Sequence, residues 1–340
     1  MSDAPRARLA ATSVHLPSRY RTMEEIRARI AATGGYAPPA GWLEDLTGVH
    51  GVHVRAAGEN ASDLAAAAAR TALDEAGLRI GDVDLLLFAA TAHDLIEPAT
   101  AHITAAKLGA SCPAFDVKNA CNSVLNAMEV ASALIAAGRY RTVLVACGEV
   151  GSMVVRWHVP DHEALTRAMP GYTVSDAGAA LVLTAGPAGD DDPGVLFMRF
   201  GADSAAWDAC TIACGGTMHL HSQADEHTTL RLNGDLLHTG AVDYLPTARA
   251  AAGELDAARS AAFIALHQIG VPQYHEMIER LALPAQRCMP TVARHGNCGA
   301  ASLPLQLVRA EEAGLVEEGD LVAMIGVASG LSFGLALVRW

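Results

Sequence analysis

Cys121, His267 and Asn297 are the residues of this chain whose types and settings could carry nucleophilic chemistry. Cys121 closes the run Phe115-Asp-Val-Lys-Asn-Ala-Cys121. Val124, Leu125, Met128, Ala131 and Leu134 then recur at helical spacing up to Gly138. Phe115 to Val117 read as the end of a buried strand, so the chain ends a strand, presents a cysteine and turns into a helix. Unpaired N–H groups and the dipole at a helix N-terminus favour a thiolate, the nucleophilic form. The same position suits a small apolar core residue, the usual role of a free cysteine. Position alone leaves both readings open, and partners must decide.

His267 ends the apolar run Ala262-Phe-Ile-Ala-Leu, and Asn297 lies in the turn His295-Gly-Asn297. Taken singly, a histidine at a strand end is often a satisfied core residue, and Asn beside Gly is ordinary turn chemistry. Together they supply the N–H donors that an acyl thioester oxygen needs once a cysteine has become the nucleophile. Other clusters are weaker. Cys210-x-x-x-Cys214 lacks a second pair and His219-x-His221 lacks a carboxylate at ligand spacing, so no metal site is expected. Cys112, Cys147, Cys288 and Cys298 read as packing residues. No Gly-x-Gly-x-x-Gly or P-loop pattern points to nucleotide-dependent chemistry.

The elements that must position these residues form a weak internal repeat. In the first half a strand over Asp84–Thr91 leads to a helix opening at Pro98 and closing near Gly109. The Phe115 strand, the Cys121 helix and a strand over Thr142–Gly148 follow. In the second half a strand over Ala262–His267 leads to a helix opening at Pro272. A strand near Met289–Val292, a helix through Leu303, Leu305 and Leu307 to Gly314, and a strand over Asp320–Gly326 complete the copy. Alternating strands and helices predict an α/β fold with mostly parallel sheets covered on both faces. Two βαβαβ copies divide the chain into halves, 1–185 and 186–340. Ligands in such sheets bind beyond the carboxyl ends of strands, where all three candidates fall.

Composition narrows the class. The chain has 340 residues, 51% hydrophobic and 18% charged, as an ordinary globular protein has. No apolar run is long enough for a signal peptide or a membrane span. Seven irregularly spaced cysteines fit a reducing cytoplasm better than a disulfide framework. A net charge of −13, with Lys107 and Lys118 the only lysines, argues against nucleic acid and against a broad docking surface for an acidic carrier protein.

Four motifs, in order, resemble β-ketoacyl-acyl-carrier-protein synthase III of the thiolase superfamily. They are Phe115-Asp-Val-x-x-Ala-Cys121, Leu266-His267-Gln268, His295-Gly-Asn297-x-x-Ala-Ala-Ser302 and the ending Leu335-Ala-Leu-Val-Arg-Trp340. The resemblance spans nearly the whole chain. It implies a thiolase fold, layered αβαβα, and a homodimer with neither nucleic acid nor membrane as partner. It also implies a Cys121, His267, Asn297 triad whose cysteine is acylated by acyl-coenzyme A or an acyl carrier protein thioester, with no permanently bound cofactor. The backbone N–H groups of Cys121 and Ser329 would form the oxyanion hole. Trp42, ahead of Thr47-Gly48-Val49, matches the tryptophan that stacks on the coenzyme A adenine.

The departures from that family pattern are informative. Leu46 stands where the family has an arginine, His267-Gln-Ile-Gly270 replaces His-Gln-Ala-Asn, and Ala328-Ser329-Gly330 replaces a triple-glycine loop. Glu97, in Leu95-Ile-Glu97-Pro98, replaces the apolar residue that reaches into the partner's acyl pocket. With Asn119-Ala-Cys121 and Ser329-Gly330-Leu331, it is similar to thiolases that join two acyl thioesters head to head without decarboxylation. In those enzymes this glutamate serves the neighbouring subunit as the base that removes an α-proton. A malonyl donor makes its carbanion by losing carbon dioxide, whereas a plain acyl donor needs a positioned base. Partial burial would raise that carboxyl's pKa toward the task; a surface carboxylate before a helix is the bland alternative. The expected reaction is acyltransfer through acyl-Cys121 with Claisen condensation to a β-ketoacyl thioester, in fatty-acid-like or natural-product synthesis. The alternative is transfer to an oxygen or nitrogen acceptor, for which the segments Trp157–Tyr172 and His219–His238 could make room.

Overall fold

The computed structural model describes residues 4–33, 35–189, 191–232 and 252–340; part of the His219–His238 run therefore lies outside the described residues. The strands, numbered along the chain, are β1 (Arg6–His15), β2 (Arg19–Thr22), β3 (Gly51–Val54), β4 (Leu85–Ala89), β5 (Ala114–Val117), β6 (Thr142–Val150), β7 (Asp176–Gly186), β8 (Gly194–Ala202), β9 (Cys210–Thr211), β10 (Arg231–Leu232), β11 (Phe263–Leu266), β12 (Leu321–Ala328) and β13 (Ser332–Arg339).

Among the described residues two main sheets form, in the orders β1-β7-β6-β4-β5 and β11-β12-β13-β8. The repeat is explicit in their pairing. β4 runs parallel to β6 as β11 does to β12, and β6 and β12 each turn antiparallel onto the next strand, β7 and β13. Those in turn pair antiparallel with β1 and β8. The sheets are thus mixed, not mostly parallel as the alternation predicted. The returning strands β7 and β13 account for the difference.

Three layers of helix enclose the two sheets. Ala61–Glu75 and Thr100–Leu108 cover the outside of the first sheet. Ser123–Ala136 and Ser302–Glu312 lie between the sheets and touch both. Val271–Arg280 packs Tyr274 and Ile278 against β11 and β12 from the far side. Covering on both faces explains why β4 is wholly buried apolar sequence and β6 is buried along nearly all its length. Two glycines permit the closest layer contact: a Cβ on Gly148 would lie 1.9 Å from Ala61 O, and one on Gly178 2.1 Å from Leu64 O.

Two strand expectations need correction. The strand near Met289–Val292 shrinks to one parallel bridge between Ile264 and Cys288, so among the described residues the second sheet has no true counterpart of β5. Pro290, which has no N–H to give a ladder, follows at once. β5 itself is not buried: it is the sheet edge, and Phe115 is 41% exposed.

Candidate active site

Cys121 sits at a sharp corner between β5 and the Ser123–Ala136 helix. Ala120, just before it, has a φ of 48°, a left-handed conformation costly for a residue with a Cβ. Asn119 N–H donates to Ser123 Oγ at 2.8 Å and Ser123 Oγ donates to Ala120 O at 2.7 Å, which closes the corner. Asn122, fully buried, donates from Nδ2 to Ser332 Oγ at 3.0 Å and so ties the corner to β13 of the other sheet.

His267 follows β11, and its N–H donates to Ile325 O in β12 at 2.9 Å. Ile325 adjoins Gly326, against which Asn122 packs, so the backbones next to Cys121 and at His267 are both anchored near the carboxyl end of β12. Gln268 locks the following turn: Oε1 accepts from the N–H groups of Thr291 and Val292, both at 2.9 Å, and Nε2 donates to Met289 O at 2.7 Å. The turn so held leads into His295-Gly296-Asn297.

Asn297 is fixed through its backbone. Its N–H donates to Thr173 O at 2.7 Å and its carbonyl accepts from Ser175 N–H at 2.9 Å. Its Oδ1 accepts from Gly299 N–H at 2.9 Å, which leaves the amide Nδ2 as the group available to a ligand. Gly296 must be glycine here: φ is +66°, and a Cβ would meet Thr173 O at 2.5 Å.

The electrostatics differ from the helix-dipole expectation for Cys121. Enclosure by protein pushes its thiol well above the ordinary range, and the Glu149 carboxylate and Cys210 add to the rise. Burial decides because the helix proper begins only at Ser123, while the desolvation acts on the sulfur directly. Burial also lowers His267 to about 4, so its imidazole is neutral at ordinary pH. Its Nδ1 is buried without a hydrogen-bond partner. Cys121 itself is only partly buried, and what burial it has favours the thiol, as burial of His267 favours the neutral imidazole.

Family comparison agrees with this architecture. The family model described as 3-oxoacyl-[acyl-carrier-protein (ACP)] synthase III matches residues 115–204, and that of its C-terminal part matches residues 257–340. β-Ketoacyl-[acyl-carrier-protein] synthase III of Rhodospirillum centenum is 34% identical over 332 residues, covering 96% of each chain. That of Xylella fastidiosa is 31% identical over 345 residues, covering 93% of this chain and 99% of its own. The chain belongs to the β-ketoacyl-[acyl-carrier-protein] synthase III family. It is an acyltransferase with the thiolase fold. Among solved structures, cerulenin-bound OleA of Xanthomonas campestris superposes with a TM-score of 0.87 at 25% identity, covering 99% of this chain and 98% of that one. A cysteine-to-serine variant of that protein, with bound lauric acid and lauroyl-CoA, gives 0.86 at 25% identity, covering 98% and 99%.

The remaining site candidates of this synthase III chain occupy distinct positions. Ser329 lies in the turn between β12 and β13, where its hydroxyl hydrogen-bonds Cys210 and moderates the burial that raises that thiol to about 11. Trp42 opens the short helix Trp42–Thr47, with its ring edge-on to His162 at 5.5 Å. Gly48 at the end of that helix abuts Val271, four residues past His267. Leu46 is 49% exposed. Glu97 is exposed, beside Leu95 and Ile96 at 53% and 66%, so the partial burial expected of it is absent from this chain.

Two further features escaped the sequence. Arg29 stacks on Trp157 at 3.8 Å with Arg21 at 5.2 Å, a cationic and aromatic cluster from elements distant in sequence. Glu149, at the end of β6, is a buried carboxylate ringed by backbone N–H groups. Its only sequence signal is an acidic residue near the end of an otherwise apolar strand.

Proposed function

We propose that this protein forms an acyl-Cys121 enzyme from one acyl thioester and condenses it with a second, giving a β-ketoacyl thioester. Support comes from the backbone anchoring: Asn122, the residue after Cys121, packs on Gly326 of β12, His267 N–H donates to the adjacent Ile325 O, and Gln268 next to His267 holds the segment that leads to Asn297. The Cys121 sulfur attacks the first thioester carbon, and its proton leaves with the departing thiol. The N–H groups of Cys121 and Ser329 would hold the tetrahedral oxyanion, a contribution of about 3 kcal/mol per donor. The second thioester then enters with its carbonyl oxygen held by neutral His267 and by Asn297 Nδ2. Because His267 stays uncharged, it supplies a donor without protonating the enolate outright.

Glu97 is the base in this reading, taking the α-proton of a non-carboxylated donor held by a partner subunit. Three features support a dimer that delivers it. β5 is an unpaired sheet edge, Phe115 on it is exposed, and Leu95 and Ile96 next to Glu97 expose apolar surface. The solved OleA variants replace one cysteine, one glutamate and one histidine, the same residue types as Cys121, Glu97 and His267. Trp42 is proposed to stack on coenzyme A, and acyl-CoA or an acyl carrier protein to deliver the acyl groups. No helix among the described residues is long and apolar enough to cross a membrane, and the free thiols suit a reducing cytoplasm.

The deciding experiment offers the protein acyl-CoAs alone and with malonyl-CoA, following Cys121 by intact mass and products by chromatography. The proposal requires an acyl adduct on Cys121 and a β-ketoacyl product from two acyl-CoAs. An adduct whose acyl group passes only to hydroxyl or amine acceptors overturns it.

A further inference from the structure

Glu149 is 5% exposed, yet the mechanism above gives it no part. Its single oxygen Oε1 accepts two backbone N–H groups, from Thr91 at 2.8 Å and from Ala300 at 3.1 Å. Its Oε2 accepts from Ala92 N–H at 3.4 Å. Thr91 opens the loop that carries Glu97. Ala300 stands in the turn whose first amide, Gly299, is held by Asn297 Oδ1.

The packing is as specific as the hydrogen bonds. Gly299 has a φ of +56°, and a Cβ there would lie 2.8 Å from Glu149 Cδ, so the carboxyl group occupies the space a side chain at 299 would need. The backbone of Glu149 is held in the β6–β7 ladder, opposite Ala177. The far end of the Glu97 loop is pinned in the same manner: Asp116 accepts from the N–H groups of Thr100 and Ala101 at 2.9 and 2.7 Å. Asp94, midway, accepts from Ser62 N–H at 3.2 Å.

We propose that Glu149 is a positioning residue of the condensing site, clamping the root of the Glu97 loop to the turn that carries Asn297. This rests on the condensing reading, in which Asn297 serves the second thioester of its own subunit and Glu97 that of the partner, so both act in the same half-reaction. The clamp serves the second half-reaction and leaves the attack of Cys121 on the first thioester largely alone. The titratable groups that face Glu149 are the thiols of Cys121, Cys147 and Cys298, whose ionisation its charge opposes, and no basic side chain is among the groups acting on it.

Three variants separate clamp from charge. Glu149→Gln keeps the Oε1 acceptor and removes the charge; Glu149→Ala removes both; Glu149→Asp keeps the charge but falls one methylene short. Glu149→Ala is expected to acylate Cys121 from acyl-CoA within about threefold of the native rate, while condensation falls at least about tenfold, as a misplaced group costs. Glu149→Gln should restore most of the condensation and shift the pH profile of Cys121 alkylation by iodoacetamide to lower pH. Hydrogen exchange at amides 91–92 and 299–300 should accelerate in Glu149→Ala and not in Glu149→Gln. If Glu149→Ala does not fold, Glu149→Asp carries the same comparison. Equal loss of acylation and condensation, no rescue by Glu149→Gln, or unchanged exchange at those amides overturns the clamp. If native protein acylates without condensing, the condensing reading falls, and amide exchange still judges the clamp.

Discussion

The side-chain oxygen of Asn122 occupies the space beside Gly326 where any other residue would place its Cβ: that carbon would lie 2.0 Å from Asn122 Oδ1. Through this contact the residue after Cys121 is seated on β12, the strand that also anchors the backbone of His267. Gly326→Ala must displace Asn122 and break its bond to Ser332. Overpacking of this kind costs about 1–3 kcal/mol. Urea unfolding should show a loss of that size, with acylation of Cys121 slowed much more than the lost stability accounts for.

Two buried groups give opposite pH dependences of stability. Burial raises Glu149 from 4.5 to about 7. Between those values the folded protein keeps a proton that the unfolded chain has released, so stability falls as pH rises, by roughly 3 kcal/mol in all. Burial lowers His267 from 6.5 to about 4, so the unfolded chain takes up a proton first and stability is lost as pH falls through that window. The windows overlap, and variants separate them. The stability of Glu149→Gln relative to native should rise by roughly 3 kcal/mol from pH 4.5 to 7 in urea unfolding. A flat difference would mean that Glu149 is charged throughout.

Phe115→Asp places a charge on the exposed edge of β5. Sedimentation should show native dimer and variant monomer. The monomer should still acylate Cys121 but fail to condense non-carboxylated acyl-CoAs, because the partner's Glu97 is gone. Glu97→Ala should lose the same reaction while remaining dimeric.

Trp42→Ala should raise the KM for acyl-CoA about tenfold, the worth of one base stacked on an aromatic ring. Acyl-pantetheine, which lacks the adenine, should be processed as by native protein. Equal effects on both substrates would place Trp42 in the support of its helix instead.

Local patterns carried most of the element reading. The helix after Cys121, the strands ending at His267 and at β12, and the proline-led helix at Val271–Arg280 lie where spacing put them, because apolar periodicity is a property of a few adjacent residues. The edge character of β5 and the loss of its counterpart near Pro290 were not legible: the first depends on which strands find neighbours, the second on one missing N–H within a ladder.

What the sequence determined by itself was the supply of chemistry: a cysteine at a strand-to-helix corner, with histidine and asparagine at the matching places of a second copy. The state of that chemistry depends on the packing of distant segments. The helix end near Cys121 argued for a thiolate, but burial, set by the packing of both sheets, favours the thiol at Cys121 and the neutral imidazole at His267. In the sequence Glu149 is one more acid near a strand end; in the fold three amides from two distant segments converge on it. Desolvation and convergent hydrogen bonds belong to groups far apart in the chain, and no local pattern encodes them.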